Sequence, residues 1–350
     1  MDKVAILAIT KNGIKIASSI RSSFPSWEIF APSKFRDETS ANWYEETTSA
    51  KIAELFSNYD GIVCLFSLGA VIRLVAPYLK DKKTDPAIIV IDDKANFVIS
   101  ALSGHLGGAN EIAEDIARKL GATAVITTAA DVNKTIAVDL LGKEFGWKID
   151  GDSAVTRVSA FMVNEEKIAV YQDAGEKDWW KGELPKNVTV YDSYEKMKNS
   201  DSRGFLIISD RIIGGEVAEN AVIYRPRSLV AGIGLHGDTT KEKILESLRF
   251  CLEKYNLSIK SVARLVSLKK PQDVRGLIDA AQELGIPVEY FDRDELAKIS
   301  IPNPSDMVQA YEGTPSVSEA AAIKSSQGTL VVEKQKFPPD VTVAIARIRK

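Results

Sequence analysis

Apolar residues in the first third of the chain come in short continuous runs, and the stretches between them carry helical spacing. Residues 4–9, 27–30 and 61–66 read as buried strands. Ile14, Ile16, Ala17 and Ile20 mark a helix after the turn Thr10-Lys11-Asn12-Gly13. Ile52, Ala53, Leu55 and Phe56 mark a second, after a polar loop, and Val71, Ile72, Leu74 and Val75 a third. Buried strands alternating with helices predict a parallel, doubly wound sheet. Residues 87–91 and 97–102 read as a strand pair around the polar turn 92–96. A helix with Ile112, Ala113, Ile116, Ala117 and Leu120 follows and stops at Gly121. Residues 123–127 read as a strand and 135–145 as a helix, with a domain boundary near Ala130.

The middle of the chain has another texture. Strand-like runs at 155–163, 167–171, 188–191, 205–208 and 222–224 are joined by polar linkers with Trp179, Trp180 and Pro185. They suggest a small α+β or mostly β insert. Arg225-Pro226-Arg227 reads as a linker, because proline interrupts a strand ladder. Beyond it, residues 229–231 feed a glycine-rich segment, a helix with Ile244, Leu245, Leu248, Cys251 and Leu252, and a strand at 262–268. A helix at 274–284, a strand at 288–291, an alanine-rich helix after Thr314-Pro315-Ser316, and strands at 329–333 and 341–348 complete the pattern. The expected fold is α/β: two α/β domains with mostly parallel sheets (1–130 and 228–350), separated by a small α+β middle domain (131–227). No internal repeat or low-complexity tract is evident.

Composition narrows the function classes. The 350 residues are 45% hydrophobic and 27% charged, with a formal net charge of −3. That length suits two or three domains, and that charge gives no global basic field for nucleic acid. No apolar stretch is long enough for a membrane helix, and the first residues lack the pattern of a signal peptide. Two distant cysteines, Cys64 and Cys251, form no disulfide framework and point to a reducing, cytoplasmic setting. Two histidines without a cysteine cluster argue against a zinc site of the protein's own.

Candidate chemistry concentrates where strands meet helices. Ser103-Gly104-His105-Leu106-Gly107-Gly108-Ala109-Asn110 lies at such a junction, where ligands collect at the carboxyl ends of strands in open α/β sheets. The helix start also offers unpaired N–H groups to an anion. His105 is either a histidine satisfied by a backbone carbonyl or a general base near neutral pH. Ser103 is better read as a hydrogen-bond donor than as a nucleophile, because residues two apart rarely form a nucleophile–base pair. Asp131 either orients His105 or caps a helix. The charged loop 80–86, with Lys82 and Lys83, is a solvated connector or a rim for carboxylates.

In the last third, Gly232, Gly234 and Gly237 fit G-x-G-x-x-G between a strand and a helix. The next strand ends in Ser267-Leu268-Lys269, without the acid that holds a ribose, and Asp238 opposes a pyrophosphate. A tight loop facing another oxyanion, such as a carboxylate, fits better. His236 in that loop is structural, a cleft residue, or a ligand to a metal brought in by a substrate. Ser316 and Glu319 have capping-box spacing beside Thr314. Lys334 and Lys336, two apart, are solvated or share one strand face and grip carboxylates.

These stretches resemble one family. The run 102–111, followed by Thr127-Thr128 and Asp131, is similar to the N-terminal signature of the cobalamin biosynthesis protein G family. So are Arg73-Leu74-Val75-Ala76-Pro77, Lys82-Lys83-Thr84-Asp85-Pro86, Gly232-Ile233-Gly234, Gly313-Thr314-Pro315-Ser316-Val317 and Lys334-Gln335-Lys336-Phe337. The middle segment matches by position and length alone. One departure is at residues 235–238, Leu-His-Gly-Asp, where relatives often carry cysteine and basic residues. The resemblance implies a cobalt-precorrin-5A hydrolase of the anaerobic corrin pathway, with no cofactor of its own, the cobalt arriving within the tetrapyrrole. Such an enzyme opens a ring A lactone with water and releases the extruded meso carbon, with its methyl, as acetaldehyde. The resemblance does not assign roles; the residues themselves suggest His105 as the base, Asp131 orienting it, and Ser103 with the N–H groups of Gly107 and Gly108 donating to the oxyanion. Arg73, Lys82, Lys83, Gly104, Asn110, Gly232, Gly234, His236, Thr314, Ser316, Lys334 and Lys336 complete the expected substrate site, in a cleft between the two glycine loops. Neighbouring corrin-pathway enzymes and a second copy of the chain are open as partners; nucleic acid and membrane are not expected. Two rivals remain at this point: a non-catalytic corrinoid carrier and a nicotinamide-dependent oxidoreductase.

Overall fold

The computed structural model describes residues 3–36, 40–81, 84–105, 107–133, 135–150, 154–272 and 274–349. They divide into two units, Met1–Leu140 and Leu141–Lys350.

The first unit follows the order β1 (Val4–Ala8), α1 (Lys11–Arg21), β2 (Glu28–Pro32), β3 (Asn42–Tyr44), α2 (Thr48–Asn58), β4 (Gly61–Leu65), α3 (Leu68–Val75), β5 (Ala87–Ile91), β6 (Phe97–Leu102), α4 (Ala109–Leu120), β7 (Thr123–Val125) and α5 (Ala129–Val132). The sheet order is β3-β2-β1-β4-β5-β6-β7. Strands β1, β4 and β5 are buried throughout because helices cover both faces. One face packs Ile6, Ile14, Ile20, Val63, Ile89 and Ile116, the other Leu7, Ile52, Leu55, Ile62, Val71 and Ile88. Two differences from the pattern reading stand out. Residues 42–44, expected as loop, add an edge strand parallel to β2. The described residues of 135–145 form turns and a short 3-10 turn at Lys143–Phe145, not an α-helix. As the strand pair around the turn 92–96 requires, β6 is antiparallel to β5, while β1 to β5 run parallel and β7 is parallel to β6. The loop after β6 therefore lies at the carboxyl ends of β6 and β7 but beside the amino end of β5. It is not at the carboxyl edge of the main parallel set, as the junction alone suggested.

The second unit holds two sheets. The first comprises β8 (Lys148–Ile149), β9 (Ile168–Gln172), β10 (Val188–Tyr191), β11 (Gly204–Ile208) and β12 (Ala221–Arg225), with helices α6 (Val155–Val163) and α7 (Tyr194–Lys198). Its order is β10-β9-β11-β12-β8, parallel except for the antiparallel β8. Residues 155–163 are thus a helix, not the expected strand. Val158 and Met162, four apart, bury one face, a spacing hidden by the β-branched valines.

Next come β13 (Leu229–Leu235), α8 (Lys241–Lys254), β14 (Val262–Leu268), α9 (Arg275–Leu284), β15 (Val288–Phe291), α10 (Arg293–Leu296), α11 (Asp306–Glu312), α12 (Val317–Ser326), β16 (Thr329–Phe337) and β17 (Val341–Arg347). The order is β15-β14-β13-β17-β16, with β13, β14 and β15 parallel and β17 antiparallel to both of its neighbours, β13 and β16. Charged clamps join the two sheets. Asp210, fully buried, accepts from Arg347 at 2.8 and 2.7 Å and from Ser228 at 2.9 Å. Arg225, expected in a linker, ends β12 with its guanidinium buried on Asp150 at 2.9 and 2.6 Å, and Lys260 reaches the same carboxylate at 2.7 Å.

Candidate functional site

The Ser103–Asn110 loop is shaped by close approach. A Cβ on Gly104 would meet Asn110 Oδ1 at 2.6 Å, and one on Gly107 would meet Ser103 Cβ at 2.5 Å. Gly108 has φ +79° at the start of α4, in the left-handed region that glycine tolerates. Ser103 itself has φ +55°. Its hydroxyl donates to the carbonyl of Asp85 at 2.9 Å, so its one proton is committed to backbone rather than to an oxyanion. That bond also places the end of the 80–86 loop against the glycine loop; Lys82 and Lys83 themselves lie outside the described residues. The Gly108 N–H, expected as an oxyanion donor, closes the loop's own turn on His105 O at 3.1 Å. The Gly107 N–H has no acceptor among the described residues.

Around this loop the structure brings together His105, Asn110 and Asp131. His105 Nε2 donates to Asp131 Oδ2 at 2.9 Å. Asn110 Nδ2 donates to the same oxygen at 2.6 Å and to Thr128 Oγ1 at 3.0 Å, while its Oδ1 accepts from Ser100 at 2.6 Å. The nearly buried Asn110 amide is thus spent on tying β6, α4 and α5 together, not on a ligand. Asp131 sits in the first turn of α5, whose cap is Thr128; its carboxylate accepts from the imidazole and does not cap the helix. The other ring nitrogen, Nδ1, lies 3.4 Å from Asp139 Oδ1. Asp139 was missed because residues 135–145 read as a helix. Its signal was a lone acid in the apolar run 136–141. Arg73 is exposed and donates to Gly69 O on its own helix at 2.9 Å; none of its described bonds reaches the loop.

In the second unit the glycine-rich segment is not a loop. Gly232 and Gly234 lie inside β13, paired with Ala344 and Thr342 of β17. A Cβ on Gly232 would come within 1.9 Å of Ser318 O, and one on Gly234 within 2.3 Å of Thr342 Oγ1. Gly232 is there so that α12 can press on the strand. The dinucleotide reading falls with it, since Gly232 and Gly234 have their backbone in a ladder. The turn comes later, where Thr239 Oγ1 accepts from His236 N at 3.1 Å and donates to Asp340 at 2.8 Å.

A cavity of about 290 Å³ opens at this end of the sheet, and five expected residues line it: Gly234, His236, Ser316, Lys334 and Lys336. Lys270 also lines it, paired with Glu312 at 3.3 Å. The two strand lysines do share one side, as their spacing allowed. Thr314 is buried, with its hydroxyl on Ser316 O at 3.4 Å, and does not line the cavity. The capping box is absent: Ser316 makes no side-chain cap, and its buried hydroxyl has no partner among the described residues. Glu319, also fully buried, turns instead to Asn303 Nδ2 at 2.8 Å, Asn303 N at 3.3 Å and Lys334 N at 3.0 Å. Burial pushes the Lys334 ammonium below its ordinary pKa, with the Glu319 charge opposing and that of Lys336 reinforcing.

Other described features bear on class. Both cysteines are buried and free. No described helix is long and apolar enough to cross a membrane. Among the described residues no group of three or more His, Cys, Asp or Glu is arranged to hold a metal ion.

Fold and site together define a three-sheet α/β protein with a histidine–carboxylate cluster on one sheet and a lysine-lined cavity on another. Family models match in chain order: cobalamin synthesis G N-terminal over residues 50–131, the cobalamin biosynthesis central region over 136–226, and cobalamin synthesis G C-terminus over 229–346. The sequence is 42% identical to a cobalt-precorrin-5A hydrolase of Priestia megaterium, over 98% of this chain and 94% of that protein. It is 29% identical to the cobalt-precorrin-5A hydrolase of Salmonella typhimurium strain LT2, over 95% of this chain and 94% of that one. A solved cobalamin biosynthesis protein G homolog from Sulfolobus solfataricus aligns at 22% identity, over 99% of this chain and 98% of that chain, with a TM-score of 0.40. The chain belongs to the cobalamin synthesis G family.

Proposed function

We propose that this protein is a cobalt-precorrin-5A hydrolase of cobalamin biosynthesis, opening the ring A lactone of a cobalt-bearing tetrapyrrole and releasing acetaldehyde. The observation that carries this reading is 42% identity to a hydrolase of that name along nearly the whole of both chains. Cobalt enters with the substrate and no further cofactor is required. The two free cysteines support a reducing, cytoplasmic setting.

The chemistry suits the His105 cluster. Asn110 holds Asp131, and Asp131 holds the Nε2–H of His105. That leaves Nδ1 as the nitrogen that takes a proton from water. Once there, the proton is held between Nδ1 and Asp139 Oδ1, 3.4 Å apart. The hydroxide adds to the lactone carbonyl, and the Gly107 N–H is available to the oxyanion. Collapse breaks the acyl C–O bond. The released alkoxide becomes the carbonyl of acetaldehyde as its carbon–carbon bond to the macrocycle breaks. The electron pair stays with the macrocycle, and the stored proton returns to it.

The test is anaerobic incubation of the purified chain with cobalt-precorrin-5A, with acetaldehyde trapped and quantified. Binding of the intermediate without acetaldehyde would favour the carrier. In the same assay His105→Ala is expected to lower kcat by about 10²–10⁴-fold, the range of a general acid–base group. Wild-type turnover of that variant at saturating substrate removes His105 from the base role.

A further inference from the structure

The cavity in the second unit contains an arrangement that packing alone does not explain. A carboxylate without exposure is expensive in a protein interior, yet Glu319 lies fully buried near the start of α12. Three N–H donors from two other segments hold it: the backbone and side chain of Asn303, before α11, and the backbone of Lys334, on β16. Neither Glu319 nor Asn303 lines the cavity. What they fix is Lys334, which does. Its ammonium does not close on the Glu319 carboxylate; it donates to the carbonyl oxygen of Asn303. An ammonium has three N–H donors, and the other two have no acceptor among the described residues. The backbone register is irregular between Val332 and Gln335, the stretch that carries Lys334. Ser316, 1% exposed, also lines this cavity, and its hydroxyl has no partner among the described residues.

The charges around the cavity point the same way. Lys270 is matched by Glu312, and Asp340 receives the hydroxyl of Thr239. Lys334 and Lys336 make no direct ion pair among the described residues; the Glu319 charge acts on the Lys334 ammonium only from a distance. A small anion with two acceptor oxygens would satisfy both unmet groups, the ammonium and the serine hydroxyl.

We propose that Ser316 Oγ and Lys334 Nζ form a seat for one carboxylate arm of the tetrapyrrole, and that Glu319 and Asn303 are positioning residues that hold Lys334 in place. The identity of the arm rests on the hydrolase reading; the preference for a carboxylate rests on the seat.

The test uses the full chain and two readouts. The first is titration with cobalt uroporphyrin III, a polycarboxylate tetrapyrrole, followed by its absorbance. The second is acetaldehyde release from cobalt-precorrin-5A, with KM and kcat determined separately. Lys334→Met is expected to weaken probe binding and raise KM by about tenfold or more, the scale of a charged hydrogen bond, while kcat stays within about twofold. Lys334→Arg recovers part of that loss. Ser316→Ala removes one buried oxygen, leaves folding intact, and raises KM by several-fold. Glu319→Gln raises KM rather than lowering kcat, whereas a merely structural role would lower the active fraction and leave KM unchanged. Wild-type probe affinity and KM in both Lys334→Met and Ser316→Ala overturn the seat, as does failure of the wild type to bind the probe saturably. A wild-type KM in Glu319→Gln overturns the positioning role. If the wild type binds the probe through these residues but releases no acetaldehyde, the seat stands and the hydrolase reading falls.

Discussion

Gly232→Ala separates two accounts of the same glycine. If residues 232–237 formed an anion-binding loop, one methyl at Gly232 would chiefly impair ligand binding. The structure instead puts Gly232 in β13 under α12, where the new Cβ would lie 1.9 Å from Ser318 O, 2.9 Å from Ser318 C and 3.0 Å from Ala322 N. Carbon–oxygen contacts normally stand at about 3.3–3.6 Å, so helix and strand must part by more than about 1 Å. The neighbouring core, with Val230, Ala320 and Ala321 all fully buried, cannot absorb that shift cheaply. Even a gap of about 0.5–1 Å forfeits a quarter to a half of each dispersion contact it opens. Overpacking generally costs about 1–3 kcal/mol, and a backbone-on-backbone clash belongs at the upper end or beyond. At about 2–4 °C per kcal/mol for a folding unit of this size, a loss of roughly 3 kcal/mol lowers the melting temperature by about 6–12 °C. Differential scanning calorimetry measures it. A variant that melts with the wild type but no longer binds a tetrapyrrole would refute the packing argument and restore the loop.

Three further outcomes are expected. Asp131→Ala removes the acceptor of both His105 and Asn110, and should cut kcat by about 10²-fold, the lower end for an acid–base group, with little change in KM; unchanged kcat would show that Asp131 does not orient the imidazole. At Asp150, burial raises the pKa, but hydrogen bonds from Lys260 and Arg225 and their charges outweigh it, so the carboxyl sits below its ordinary value. A group depressed in the folded state stabilises fully above its unfolded pKa, about 3.9, and loses that contribution as pH falls through the lower folded value. Urea unfolding from pH 5 to pH 2 should therefore lose stability more steeply for the wild type than for Asp150→Asn, and equal slopes would contradict the linkage. Burial also pushes the Cys64 thiol up, and Cys251 up to about 11, so both should resist a thiol reagent at pH 8 until the protein is unfolded. Fast labelling of the native protein would show that the cores open.

The pattern of apolar runs was enough to place most strands and helices. The strands at 61–65, 87–91 and 204–208 are where their runs lie, because a strand buried on both faces needs a continuous apolar stretch. The errors have physical causes. Residues 155–163 have β-branched composition but helical burial, and residues 42–44 are too short a run to declare an edge strand. Within the site, spacing was enough to put Lys334 and Lys336 on one side and to raise His105 and Asp131 as partners.

What the sequence determined by itself was local: strand or helix, the glycines at 104, 107 and 108 in a sharp loop, and a family signature spread over three segments. Tertiary structure decided which of those features meet. The reversal between β5 and β6 moved the His105 loop to the amino end of β5, where Ser103 spends its proton on Asp85. The packing of α12 on β13 turned Gly232 from a loop residue into a contact point, and sent Glu319 to Asn303 and Lys334 instead of to its own helix cap. Asp139 reached His105 because the expected helix did not form. Each outcome depends on groups far apart in the chain competing for the same donor, acceptor or volume. Local spacing carries no record of that competition, because its result is set only when the sheets are assembled.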